Sequence, residues 1–262
     1  GARLRTGRGT SLFLKWNASA PRGMFAAEAD GLRALAATRT VRVPEPLAWG
    51  EGERGEGWLL LEHVEPAPAA PDTAERLGRA LAALHGAACA PSFGWERDNW
   101  LGTLPQPNAP ASDWGRFFRE RRLEPRLHAV RAAGRLRDAV FDRVLDLAED
   151  ALSDAARPSM LHGDLWGGNW FATAGGEPVL VDPAVYRGHG EVDLAMSELF
   201  GGFDPAFYEA YREARGLDRD YAAYRRDLYQ LYYLLAHVEL FGSAYEAGCR
   251  AAARRVVARL GS

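Results

Sequence analysis

The hydrophobic residues of this chain change their spacing near residue 65, and that change limits the fold more than any other feature. From Gly1 to about Val64 apolar and polar residues alternate as strands do, in "ARLRT", the turn "GRGT", "SLFLKW" and later "GWLLLEHV". Between these, "PRGMFAAEADGLRALAAT" places Pro21 near a helix start and Phe25, Leu32 and Leu35 at roughly helical spacing. The segment "EPAPAAPD", Glu65 to Asp72, is too rich in Pro and Ala to be either element, and it ends where Asp72 and Glu75 could form a capping box. Beyond it the spacing is helical: Leu77, Ala80, Leu81 and Leu84, and later Leu231, Leu234, Leu235 and Val238, recur at i, i+3, i+4, i+7. The pattern predicts a small sheet carrying one helix over 1–64 and a mostly helical portion over 65–262. There is no internal repeat.

Composition removes several classes of function. With 262 residues, 47% of them hydrophobic, the chain can bury one large core or two modest ones. Its net charge of -3 comes from 32 basic and 35 acidic residues spread evenly, so no global field gathers nucleic acid or an anionic membrane. No apolar run approaches the roughly 18 residues that span a bilayer, and the N-terminus has no apolar signal core. Cys89 and Cys249 stand in no metal-ligand spacing. A soluble protein of the reducing cytoplasm, with no obligate protein partner, is expected. Lys15 is the only lysine, every other basic residue being arginine. Either a compositional bias left one lysine by chance, or its site needs a compact ammonium that a planar guanidinium cannot imitate.

The stretch "LHGDLWGGNW", Leu161 to Trp170, sets His, Asp, Gly and Asn between large apolar anchors. It precedes "NWFATAGGEPVLVDP", which reads as strand, Gly-Gly turn, strand and then Asp182. Such a hairpin brings its two ends together, so that oxygens from Asp164, Asn169 and Asp182 can converge. Hard oxygen donors of this kind suit Mg2+ better than zinc.

That arrangement resembles the catalytic loop of the protein-kinase-like superfamily, with "HGDLWGGN" in the place of "HRDLxxxN" and "DPA" in that of "DFG". Within the superfamily, "LHGDLWGGN" followed by "DPAVYRGHGEVDLAMSELFGGF" is similar to the fructosamine kinase (ketosamine-3-kinase) family. The stretches "FGWERDNWLGTLPQPN", "WGRFFRERRL" and "LYQLYYLLAHVELFG" resemble it in matching order, so the resemblance covers nearly the whole chain. It implies an α+β, bilobal protein-kinase-like fold, with a small antiparallel-sheet nucleotide-binding lobe over 1–64 and a larger, mostly helical catalytic and acceptor-binding lobe over 65–262.

The resemblance also implies roles. Asp164 would take or orient the proton of the acceptor hydroxyl, and Asn169 and Asp182 would hold the Mg2+ that bridges the ATP phosphates. Lys15 would contact those phosphates and Glu28 would pair with it. Glu62, His63 and Val64 would form the connector whose backbone bonds adenine. His162 is read as organising backbone, and Asp193 as tying down the catalytic loop. Trp166, two residues past Asp164, offers a stacking face for a sugar, with buried packing as its alternative. His237, on an apolar helix, is read as a core histidine, while Asn99 and Trp100 carry no spacing argument of their own. In the family a strand and a glycine-rich turn precede the segment matching "GARLRT", so "TGRG" at Thr6 to Gly9 is expected to be the following hairpin turn rather than the phosphate-covering loop.

The function expected from the resemblance is ATP- and Mg2+-dependent phosphorylation of the 3-hydroxyl of a small-molecule or protein-bound ketosamine, a fructosamine or ribulosamine, leading to deglycation. The alternatives are an aminoglycoside- or choline-kinase-like phosphotransferase, or a non-catalytic kinase-fold binding module. Against the last stand Lys15, Glu28, Asp164, Asn169 and Asp182, all present.

Overall fold

The structure, a computed structural model, describes residues 1–7, 9–153 and 157–261, so Arg8 of the "TGRG" turn lies outside the described residues. In chain order the first elements are β1 (Ala2–Arg5), β2 (Ser11–Asn17), α1 (Met24–Ala37), β3 (Pro46–Glu51), β4 (Gly57–Glu62) and α2 (Thr73–Gly86). Next come β5 (Asn99–Leu101), β6 (Leu104–Gln106), α3 (Trp114–Phe118), a π-helical turn (Arg119–Leu123), α4 (Glu124–Ala132) and α5 (Val140–Leu152). The short strands β7 (Ser159–Leu161), β8 (Trp170–Ala172), β9 (Pro178–Leu180) and β10 (Tyr186–Gly188) follow. The chain continues with α6 (Glu191–Phe200), α7 (Pro205–Arg215), a second π-helical turn (Tyr221–Arg225), α8 (Arg226–Phe241) and α9 (Glu246–Leu260).

The chain packs as two compact units, each discontinuous in sequence. The first comprises Gly1–Ala88, His162–Val185 and Gly201–Gly216. The second comprises Cys89–Leu161, Tyr186–Phe200 and Leu217–Ser262.

In the first unit the alternating segments form one antiparallel sheet in the order β1-β2-β4-β3. Register pairs Lys15 with Leu59 and Trp16 with Trp58, so Lys15 shares a face with Leu59 and Trp16 takes the other. Helix α1 packs on β3 and β4, burying Leu32 and Leu35 completely, and Leu59 is equally buried. Truncating any of these leucines to Ala would cost about 2–5 kcal/mol, the range for buried leucines. The face that carries Lys15 is therefore held against α1 by apolar burial.

One local expectation is corrected. Asp72 does stand at the start of α2, but its side chain makes no cap. Thr73 takes over the turn, its Oγ1 accepting from Ala70 N–H at 2.9 Å and donating to Gly176 O at 3.1 Å, so no Asp72/Glu75 capping box forms. The Pro- and Ala-rich connection forms neither helix nor named strand, as expected, and is tied down at one point. Ala67 N–H donates to Ala172 O at 2.8 Å, adding a bridge to the β8–β9 hairpin. That hairpin is as expected, closed by Thr173 to Glu177 with Gly176 at φ 69°.

The second unit is mostly helical. Trp114, Phe117 and Phe118 of α3 pack into its core, where Trp114 Nε1–H donates to Tyr229 Oη at 3.0 Å. The two π-helical turns each end near a buried arginine. Arg122 donates to Asn108 Oδ1 at 2.7 Å and lies 3.9 Å from the Tyr186 ring centroid, while Arg225 grips Glu191 at 2.7 and 2.8 Å. A π turn adds a residue to the helical repeat and so turns a side chain inward that ordinary helical spacing would place elsewhere. Among the described residues no helix is long and apolar enough to cross a membrane.

Candidate active site

The loop that follows β7 is built by backbone contacts before any side chain acts. His162 is fully buried, and its Nε2 lies 2.9 Å from Val181 O, so this nitrogen carries the hydrogen. Nδ1 then accepts from Asp164 N–H at 3.3 Å. The His162 carbonyl accepts Ala184 N–H at 2.9 Å, which ties the loop to the residues after β9. Gly163 sits at φ 82°, where a Cβ would stand 2.1 Å from Ala184 O. Only glycine permits this crossing. Leu165, fully buried, anchors the next turn.

Asp164 and Asn169 meet directly. Asn169 Nδ2 donates to Asp164 O at 2.8 Å and to its carboxylate Oδ2 at 3.1 Å. Val181 N–H donates to Asn169 O at 3.0 Å, extending the β8–β9 ladder by one pair and setting Asp182 just beyond its open end. Asp182 adopts φ 56°. Left-handed backbone costs an L-residue about 1–2 kcal/mol, least for Asn and Asp, and such strain clusters at functional sites.

Lys15 joins the same group from the sheet. Its Nζ lies 2.7 Å from Glu28 Oε1 on α1 and 2.9 Å from Asp182 Oδ1. Burial works against the Lys15 ammonium, but the Glu28 and Asp182 carboxylates outweigh it and hold the pKa above the ordinary lysine value. Burial pushes the Glu28 carboxyl up, Lys15 opposes the shift, and the Asp182 charge adds to it. One ammonium thus holds two carboxylates together.

The remaining expected residues fall as follows. Glu62 ends β4, and its carboxylate is taken by the Arg42 guanidinium and by Glu45 N–H at 3.2 Å, so its side chain supports the connector. The His63 ring lies 3.7 Å from Glu65 Oε2, and Val64 follows, partly exposed. Trp166 is 42% exposed, so it is not core packing.

In the second unit, Asp193 is fully buried on α6 and Asn99 is buried as the acceptor of Gln106 and Asn108 side-chain amides at 2.8 and 2.9 Å. Trp100 is partly exposed on β5. His237 is half-buried rather than in the core. Its ring lies 4.6 Å from Phe200 and 4.9 Å from Tyr245, its Nδ1–H donates to Tyr233 O at 2.8 Å, and burial lowers its pKa.

Among the described residues no group of three or more His, Cys, Asp or Glu is arranged to hold a metal. The oxygens at hand are those of Asp182, Asn169 and Asp164, with the Asp182 side chain 49% exposed. Two carboxylates and an amide, with neither sulfur nor imidazole, fit a hard cation that keeps several waters, as Mg2+ does. The sequence signals missed were of backbone kind: the Gly163–Ala184 crossing, the left-handed Asp182, and the small residue at Gly168 discussed below.

Comparison with known proteins identifies the family. The family model for fructosamine kinase matches residues 2–259. A protein of Synechocystis sp. provisionally named a ketoamine kinase is 44% identical over 236 residues, which is 89% of this chain and 79% of that protein. A solved structure from Thermobifida fusca, provisionally assigned as a fructosamine-3-kinase, is 37% identical with a TM-score of 0.87, over 98% of this chain and 88% of that one. The aminoglycoside phosphotransferase APH(4)-Ia, at 16% identity and a TM-score of 0.66 over 97% of this chain and 88% of its own, shares the kinase-like fold alone. The expected fold class, a small antiparallel sheet with a helical remainder in a protein-kinase-like arrangement, is the one observed. With the family model matching residues 2–259 and a relative 44% identical over 89% of its length, this chain belongs to the fructosamine kinase family.

Proposed function

We propose that this kinase transfers the γ-phosphoryl group of ATP to the 3-hydroxyl of a ketosamine, a fructosamine or ribulosamine, free or protein-bound. The observation that carries the reading is the joining of Lys15, Glu28 and Asp182 by 2.7 and 2.9 Å contacts, next to the Asp164–Asn169 pair at 3.1 Å. These groups suit phosphoryl transfer, in which positioning and charge neutralisation supply most of the rate. Asp164 accepts the proton as the sugar oxygen forms its bond to phosphorus and the bond to the ADP oxygen breaks. Lys15, held by Glu28, places one positive charge on the phosphates. The backbone of Glu62, His63 and Val64 bonds the adenine, and Trp166 stacks on the acceptor sugar.

Asn169 and Asp182 would hold Mg2+, which when bound neutralises phosphate charge. Residues 1–64 act as the nucleotide-binding portion and residues 65–262 as the catalytic and acceptor-binding portion. The phosphorylated adduct then enolises and expels phosphate from C3, and water hydrolyses the imine left at C1 to free the amine and a deoxydicarbonyl sugar, which makes the role one of deglycation, in the cytoplasm and without an obligate protein partner. The test is ATP turnover against fructosamines, ribulosamines, choline and aminoglycosides. Turnover confined to choline or an aminoglycoside would overturn the substrate, and no turnover with any acceptor would overturn the activity.

A further inference from the structure

The exposed indole of Trp166 owes its place to a residue with no side chain. Residues 166 to 169 make a tight turn in which Asn169 N–H donates to Trp166 O at 2.9 Å, while Trp166 N–H donates to Asp164 O at 3.2 Å. The indole folds back over this turn. A Cβ built on Gly168 would stand 2.3, 2.5 and 2.8 Å from Cη2, Cζ2 and Cζ3 of the Trp166 ring. Carbon atoms in good contact lie about 3.5–4 Å apart, so the ring and a methyl group cannot share that space. Gly168 is not among the glycines with positive φ, so backbone conformation does not require glycine here. What requires it is the ring.

We propose that Gly168 is a positioning residue for the acceptor: its missing side chain is the seat in which the Trp166 indole rests. This inference depends on the reading that Trp166 meets the acceptor sugar. The neighbouring Gly167 answers to a different constraint. A Cβ there would lie 3.0 Å from Gly201 O and 3.0 Å from Gly202 Cα, so backbone faces it on that side. An alanine at 167 strains the loop itself. An alanine at 168 meets only the far end of a side chain with two rotatable bonds, and the indole swings away while the hydrogen bonds of Asp164 and Asn169 stay.

A double-mutant cycle tests this, with ketosamine KM and kcat and a separate ATP affinity for Gly168→Ala, Trp166→Ala and the double variant. Trp166→Ala should raise ketosamine KM about 5- to 150-fold, the scale of stacking on aromatic side chains. Gly168→Ala should raise it at least about fivefold on the same scale, with ATP affinity unchanged. The double variant should be no worse than Trp166→Ala, because the three atoms nearest the methyl group all belong to the indole that Trp166→Ala removes. Trp166→Phe, whose ring reaches less far, should lessen the harm of Gly168→Ala, a rescue that a merely structural glycine would not show. If Gly168→Ala keeps the wild-type KM while Trp166→Ala loses it, or if the two losses simply multiply, the seat is refuted and the Trp166 contact stands. If Trp166→Ala itself leaves ketosamine KM unchanged, that contact falls and the proposed role of Gly168 falls with it, while phosphoryl transfer to the ketosamine remains.

Discussion

Gly163→Ala separates what the catalytic loop needs from what a glycine merely tolerates. At φ 82° an alanine carries the left-handed penalty of about 1–2 kcal/mol. Its Cβ would also stand 2.1 Å from Ala184 O, and that oxygen belongs to backbone that cannot rotate aside. The two segments must part, and the 2.9 Å bond from Ala184 N–H to His162 O goes with them, a further loss of about 0.5–1.5 kcal/mol. The expected total is about 1.5–3.5 kcal/mol, and at roughly 2–4 °C per kcal/mol for a chain of this size the Tm should fall by about 3–14 °C. Gly55→Ala is the comparator, since Gly55 has φ 87° but nothing within 4 Å of its built Cβ, so only the left-handed penalty applies. Thermal unfolding by calorimetry, with kcat measured on the folded variants, decides the matter. If both variants lose the same Tm, the Gly163–Ala184 crossing contributes nothing and the reasoning fails. If the crossing holds, it also explains why the arginine of the protein-kinase motif is absent here: a long side chain at 163 would start inside the Ala184 carbonyl.

Three further outcomes follow from the same geometry. Asp164→Asn keeps the shape and the contact with Asn169 but removes the proposed proton acceptor, so turnover should fall by roughly 10²-fold or more with the fold intact; near-normal turnover in a folded variant would remove Asp164 from its proposed role. Lys15→Arg should weaken ATP use although arginine serves almost everywhere else in the chain, because a guanidinium cannot occupy a point 2.7 Å from one carboxylate and 2.9 Å from another as a single ammonium does; wild-type ATP affinity in this variant would make the lone lysine an accident of composition. The Lys15 pKa is raised on folding, so its ion pairs contribute their full stability below the unfolded value of 10.5 and lose it as pH rises through the folded value. The stability gap between wild type and Lys15→Met should therefore be constant at neutral pH and close only in strong alkali; a gap that closes below pH 10.5 would contradict the ion-pair geometry.

Parts of the site close together in sequence were legible from it. The Asp164 to Asn169 spacing and the hairpin leading to Asp182 depend on turn chemistry that glycines and alternating apolar residues announce, and both formed. The Lys15–Asp182 contact joins residues 167 positions apart, and no local pattern announces it; the resemblance pairs Lys15 with Glu28 and the phosphates and leaves its contact with Asp182 unforeseen. The capping box failed because Thr73, adjacent to Asp72, has a hydroxyl that reaches both Ala70 and Gly176. Helical periodicity on α8 suggested a core histidine at His237, yet the ring is only half-buried, because its neighbours Phe200 and Phe241 are themselves 39% and 64% exposed. Both π-helical turns escaped notice, since periodicity arguments assume a constant repeat and Arg122 and Arg225 are brought inward by its local failure.

The contacts around Asp182 and those around Trp166 differ in kind, and that difference says where the specificity of such an enzyme can change. Asp182 is held beyond need: Val181 is bonded to Asn169, Ala184 to His162, and its own carboxylate to Lys15. A left-handed aspartate persists because several bonds oppose its relaxation, and removing any one disturbs the others. Trp166 is held by its backbone turn, and its indole lies over Gly168. On the proposed function, a change at Asp182, Asn169 or Lys15 should disturb phosphate chemistry common to every acceptor. On the same proposal, a change at Gly168 or Trp166 should move one aromatic face and leave that chemistry in place. Variation in the acceptor accepted should accordingly come from the pair 166 and 168, with the bonds of 162, 164, 169 and 182 retained.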